Sequence, residues 1–177
     1  AEITTQARLS SEINQRSGVS VRVTIANYET LLGNAVRRSI RNNEEWACPR
    51  VSDLSFIVAS FAGKIELETF EEGREARLTD DLTRRAVLRT FSGYFEVDEL
   101  DPIVTAFDLG NRAETGSEKP GADYPEMVKS IDGMAQAVKR LTDDNRPEVV
   151  AAAVEFILEG LHLSRKLNCD RSGEAAV

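Results

Sequence analysis

Arg22 is the side chain in this sequence with the clearest chemical opportunity. It follows the turn-forming pair Ser17-Gly18 and stands just before a long helical run from Ala26 to Asn42. Arginine carries a permanent cation and a planar fork of donors that matches the oxygens of a phosphate. Fixed at the entry to a helix, it loses less freedom on meeting an anion than an arginine on a loose loop. Arg16 is close enough in sequence to serve the same surface. On residue chemistry alone, a surface arginine flanked by buried valines is the plainer reading.

The other candidates fail on spacing. Gly63-Lys64 has the form of the end of a phosphate-binding loop. That loop needs a glycine five residues before its last glycine and a Ser or Thr after the lysine. Those positions hold Val58 and Ile65. Tyr94-Phe95-Glu96-Val97-Asp98-Glu99 has an acidic pair after apolar residues, but Glu96 interrupts the run, and a solvated helix junction is expected. Asp80-Asp81 could exchange protons, yet they fall in the first turn of a helix expected to be capped by Thr79, where acids complement the dipole. His162 lies between Leu161 and Leu163 with no nucleophile motif to serve, and is expected as a packed or surface residue. Trp46 reads as a hydrophobic anchor rather than a stacking platform. Cys48 and Cys169, with a single histidine, make neither a zinc spacing nor a disulfide framework. No catalytic and no metal-ligating residue is therefore assigned.

The elements that must position Arg22 follow from periodicity. Ile3, Ala7, Leu9 and Ile13 suggest a short amphipathic helix over 3–15. Val19, Val21, Val23 and Ile25 alternate with polar residues, and are read as an extended linker with Thr24 as the N-cap of the next helix. In that helix Ile25, Tyr28, Leu32, Ala35, Val36 and Ile40 form a stripe expected to face the core. Arg37, Arg38 and Arg41 sit in its last turns, where cations suit the dipole. Another helix is expected from Ser52-Asp53, carrying Leu54, Ile57, Val58, Phe61 and Ile65. The Glu-rich stretch from Glu66 to Arg77 reads as a solvated extension or loop. A fourth helix follows from Thr79, with Leu82, Ala86, Val87, Leu88, Phe91 and Phe95 to bury, and a shorter one spans Leu100 to Leu109 with Pro102 in its first turn. Glycine-rich 110–123 is a linker or surface loop. Tyr124 to Leu141 and Pro147 to Leu167 form a closing helical pair. The predicted fold class is mainly α.

At 177 residues, with 41% hydrophobic and 29% charged residues, the chain can build one sizeable core or two small helical units. A net charge of −8 argues against nucleic-acid binding, because phosphate neutralisation needs clustered cations. Residues 16–50 are nevertheless basic, through Arg16, Arg22, Arg37, Arg38, Arg41 and Arg50, whereas 66–81 and 92–126 are acidic. Pairing of these stretches between subunits is one expectation. No apolar run is long enough to span a bilayer and no signal-peptide pattern is present, so a cytoplasmic protein with no membrane partner is expected. The chain starts at Ala1 without a methionine, which reads as trimming or a fragment.

Gly18-Val19-Ser20-Val21-Arg22 before a helix resembles the second sensor motif in the lid of AAA+ ATPases. More narrowly, it is similar to the branch holding the MoxR-type ATPases and the I subunit of magnesium chelatase. In MoxR-type lids a proline precedes the arginine; here Val21 takes its place. Arg16-Ser17-Gly18-Val19-Ser20, Ala26-Asn27-Tyr28-Glu29, Pro49-Arg50-Val51-Ser52-Asp53-Leu54, Gly63-Lys64-Ile65-Glu66-Leu67-Glu68 and Glu155-Phe156-Ile157-Leu158-Glu159-Gly160-Leu161-His162 resemble segments of magnesium-chelatase-like proteins. The resemblance implies a helical AAA+ lid bundle over 1–70 and a helical C-terminal extension over 71–177. It implies a role for Arg22, and more weakly Arg16, near the γ-phosphate of ATP. It further implies ATP and Mg2+ held by an N-terminal ATPase core, neighbouring subunits of a ring homo-oligomer, and a partner with a von Willebrand A domain. The chain alone, without the phosphate loop and acidic metal-binding motif, is expected to bind no cofactor and to hydrolyse nothing. Insertion of magnesium into a porphyrin does not follow from the resemblance. The alternatives are a self-standing helical interaction module without nucleotide and, against the acidic balance, a DNA-binding regulator.

Overall fold

The computed structural model describes residues 1–14, 19–61, 64–67 and 73–170. Arg16, the Ser17-Gly18 turn, Gly63 and the centre of the Glu-rich stretch lie outside the described residues. The mainly α expectation is met: eight α-helices and no β-strand occur among the described residues, with one isolated antiparallel bridge between Ile13 and Leu67.

The helix α1 (Glu2–Leu9) leads to α2 (Val21–Arg41), which starts five residues earlier than Ala26. Ser20 is the N-cap, its hydroxyl accepting the Arg22 N–H at 3.1 Å, a satisfaction of a free first-turn donor that serine provides well. Thr24, the expected cap, instead donates to the Thr4 hydroxyl on α1 at 3.0 Å. The alternation of valines is thereby explained. A two-residue alternation is also a four-residue spacing, so Val19 and Val23 turn inward while Val21 and Ile25 turn out.

After α2 the chain forms a 3₁₀ turn over Val51–Ile57 that runs into the single-turn helix α3 (Val58–Phe61). The helix α4 (Arg74–Phe91) starts at Gly73, whose φ of +74° is the left-handed conformation glycine tolerates. Thr79 is therefore inside the helix, where its hydroxyl donates to the Glu75 carbonyl at 2.7 Å. Asp80 and Asp81 lie beyond the first turn, and Asp80 pairs with Arg84 at 2.8 Å. The helix α5 (Asp101–Asp108) has Pro102 in its first turn as expected. The expected helix from Tyr124 is broken in two, α6 (Tyr124–Ser130) and α7 (Met134–Leu141). The break at Gly133, φ +77°, lets Ile131 and Met134 both reach the core. The last helix, α8 (Pro147–Leu163), is entered through Pro147.

Two apolar cores result. One gathers Ala7, Ile13, Val19, Val23, Ile57, Phe61, Ile65, Leu78 and Leu82 from the N-terminal half. The other surrounds α8 and includes Phe91, Phe95, Ile103, Tyr124, Met134 and Ile157. The helix α4 belongs to both, giving Leu78 and Leu82 to the first and Phe91 to the second. Phe91 lies against Gly160 of α8, and a Cβ added there would stand 2.0 Å from the ring. Replacing Gly160 with alanine should force the two helices apart. A loss of about 1–3 kcal/mol is expected, the usual cost of overpacking, read as a lower urea midpoint at unchanged slope.

Candidate functional site

Arg22 is the second residue of α2 and is exposed. Its guanidinium has no hydrogen bond or ion pair with a described residue. The first turn of α2 contains no acidic side chain. A helix N-terminus concentrates partial positive charge from unpaired N–H groups, so a cation there opposes the dipole at a cost of about 0.3–1 kcal/mol. An arginine kept at such a place without a partner among the described residues makes that end of α2 favourable to an external anion.

The stripe expected to face the core mostly does the opposite. Ile25 is 51% exposed, Tyr28 62%, Val36 46% and Ile40 75%; Leu32 is half-buried, and of the expected set Ala35 alone is buried. The buried side is made by Val23, Asn27, Ala35, Arg38 and Ser39. Periodicity identifies an apolar face, but not whether its cover lies in the same chain. Beside the stripe opens a cavity of about 320 Å³ bordered by Ile3, Tyr28, Leu31, Leu54 and Ile57, with Asn27 among its walls. The Asn27 carboxamide Nδ2 is buried without a hydrogen-bond partner among the described residues.

What turns α2 this way is a buried charge network at its other end. The Arg38 side chain, 2% exposed, donates to both Asp53 oxygens at 3.2 and 3.0 Å, to Glu44 at 2.7 Å and to the Cys48 carbonyl at 2.6 Å. The other Glu44 oxygen accepts Arg50 Nη2 at 2.5 Å and the Gly121 N–H at 2.8 Å. Arg50 also donates to the Lys119 carbonyl at 2.9 Å, and its guanidinium lies 5.1 Å from the Tyr124 ring centre. Glu155 of α8 accepts the Tyr124 hydroxyl at 2.7 Å and the Ser52 N–H at 2.9 Å, with Arg50 3.9 Å away. Burial works to lower the Arg38 pKa, but the hydrogen bond and charge of Asp53, with Glu44 and Glu155, outweigh it and raise it overall.

The expectation that 16–50 pairs with acidic stretches of another subunit is corrected in part. Arg38 and Arg50 are consumed inside the chain, and Arg41 reaches Glu118 at 2.8 Å and the Ser117 carbonyl at 2.7 Å. The loop 110–123 is thus strapped to α2 rather than free. Arg37 lies 4.7 Å over the Phe56 ring. Of the described arginines in 16–50, Arg22 alone keeps its charge unengaged.

The remaining candidates resolve simply. Trp46 is half exposed and carries the Arg146 guanidinium 4.7 Å above its ring, so it is a stacking platform after all, for a residue of its own chain. Burial raises the Cys48 thiol pKa despite the neighbouring Arg38, Arg50 and Arg146. Both cysteines are free. His162 Nδ1 meets the Leu167 carbonyl at 3.1 Å, a packing role. Glu96 and Glu99 cap the turn at Val97–Leu100, and Glu99 pairs with Arg140 at 2.7 Å. Among the described residues no group of three His, Cys, Asp or Glu side chains is arranged to hold a metal ion, and no helix is long and apolar enough to cross a membrane. The network residues Glu44, Asp53 and Glu155 were missed in the sequence because each stands alone there; only the fold brings them together.

No protein-family model, no curated protein and no solved structure matches this chain.

Two outcomes follow from the network. Arg38→Ala leaves Asp53 and half of Glu44 buried without a cation, and should cost about 3–5 kcal/mol in urea unfolding. Tyr124 is the titratable phenol. Burial first, then the charge and hydrogen bond of Glu155, push its pKa far above the ordinary value. A group protonated more tightly in the fold contributes stability that is complete below its unfolded pKa, about 10, and is lost as pH rises through the folded one. The unfolding free energy should therefore fall from about pH 10 upward, and Tyr124→Phe should flatten that fall.

Proposed function

We propose that this chain is the helical lid and C-terminal extension of a ring-forming AAA+ ATPase of the branch that holds the MoxR-type ATPases and the magnesium-chelatase I subunit. The observation that carries the reading is Arg22: exposed, without an ion pair to a described residue, and held at a helix start with no acid in its first turn. Such a cation fits one contact to the terminal phosphate of a nucleotide bound by another body. The described residues offer no set of acidic ligands for the accompanying magnesium, so ATP and Mg2+ belong to the ATPase core in this reading. The apolar stripe from Val21 to Ile40 on the same helix supplies a surface by which α2 would seat on that core. Arg22 then acts as a sensor. Its interaction with the nucleotide differs between the triphosphate and diphosphate states, which is what a switch requires.

The exposed stripe also favours a second reading, a helical module that binds a protein partner without nucleotide. One variant separates the two. In the intact ATPase, Arg22→Ala should lower ATP hydrolysis at least about tenfold, as loss of a charged contact to a developing phosphate charge does. The same change should leave the fold intact and raise its stability by up to about 1 kcal/mol, because an unfavourable dipole contact is removed. Unchanged turnover would exclude the sensor role. Loss of partner binding in Ile25→Ser, with Arg22→Ala silent, would select the interaction module. The chain on its own should show no hydrolysis of ATP.

A further inference from the structure

We infer that the Glu44-centred charge network is a latch that holds the N-terminal core, and with it the Arg22 helix, rigidly on the C-terminal core. The two cores share no apolar residue cluster; α4 is the element that contributes to both. No residue of α2 belongs to the C-terminal core. A single shared helix is one line of attachment, about which two packed bodies can turn. The network is the buried second attachment, at the C-terminal end of α2.

Its path is continuous. Arg38 on α2 grips Glu44 and Asp53; Glu44 takes Arg50 and the Gly121 N–H; Arg50 holds the Lys119 carbonyl of the loop; Glu155 on α8 takes the Ser52 N–H and the Tyr124 hydroxyl. Arg38, Asp53, Glu44, Arg50 and Glu155 are all nearly devoid of solvent contact. A buried charge cannot leave its partners without facing an apolar interior, so the network has one arrangement and resists sliding. Directional bonds on four sides of Glu44 and Arg50 fix orientation as well as distance. Opening the latch leaves the shared helix as a hinge, with solvent-exposed ties of Arg41, Asn42 and Trp46 to the C-terminal half that are weak beside the buried network, and α2 becomes free to swing against α8. The use of such a motion in transmitting a nucleotide signal rests on the function proposed above; the latch itself does not.

Pulsed electron spin resonance on the chain without nucleotide tests it. Spin labels go on Glu29→Cys in α2 and Gln136→Cys in α7, both exposed, in a Cys48→Ser, Cys169→Ser background. With the network intact, one narrow distance is expected. Glu44→Gln, which keeps the shape of the side chain but not its charge, should broaden the distribution at least about twofold while the amides of α5 to α7 keep their exchange protection. Glu155→Gln is the milder variant and should broaden it in the same direction even if Glu44→Gln folds poorly. Arg41→Ala with Asn42→Ala, which releases the surface strap to Ser117, Glu118 and Lys119 but keeps the buried charges, should leave the distance narrow. An unchanged width in both network variants would overturn the latch, as would equal broadening on release of the strap. Neither result depends on ATP hydrolysis, so failure of the latch and failure of the sensor reading are distinguishable.

Discussion

Everything that gives α2 its direction depends on burying Arg38. A guanidinium at 2% exposure is tolerable only when acceptors surround its nitrogens and carboxylates balance its charge. Asp53, Glu44 and the Cys48 carbonyl supply them. Once Arg38 points inward, the rotation of a 21-residue helix is decided. Val23 and Asn27 must follow it into the interior, and Val21, Ile25, Tyr28 and Ile40 must face out. An apolar stripe in solvent is thus a consequence of a buried charge on the opposite side of the same helix.

The same constraint organises the chain beyond α2. Two cations and three carboxylates, drawn from α2, the 44–50 segment, the 3₁₀ turn and α8, meet beside Tyr124 at the edge of the C-terminal core. The glycine-rich loop 110–123 is drawn in because its Lys119 carbonyl accepts from Arg50 and its Gly121 N–H donates to Glu44. A composition that suggests a free linker is overridden by hydrogen-bond demand from elsewhere in the molecule. Gly121 suits that place, since an added Cβ would stand 2.9 Å from Arg50 Nη2.

Function and stability are thereby separated along one helix. Its C-terminal end carries the paired arginines that hold the fold, and its N-terminal end carries Arg22, whose charge nothing in the described chain uses. An arginine that gains nothing from its own fold and opposes the local dipole is a poor stabiliser. That contrast, more than the surrounding sequence, is the structural support for a ligand or partner at this end of α2.

Much was legible in the amino-acid sequence because it depends on near neighbours. The mainly α class and the prolines at the starts of α5 and α8 follow from spacings of a few residues. The start of α2 was misjudged because Ser20 and Thr24 are both competent caps, and a bond from Thr24 to Thr4 on α1 decided between them. The outward turn of the α2 stripe, the strapping of 110–123 and the stacking of Arg146 on Trp46 were not legible. The first rests on partners of Arg38 outside its own helix, 6 to 15 residues on, and the others on partners far along the chain, as Glu44 to Gly121 or Arg146 to Trp46. The sequence determined that α2 has an apolar face and an arginine at its head. Only the tertiary structure decided which face is buried, because burial follows the whole set of long-range charge pairs and not the periodicity of one helix.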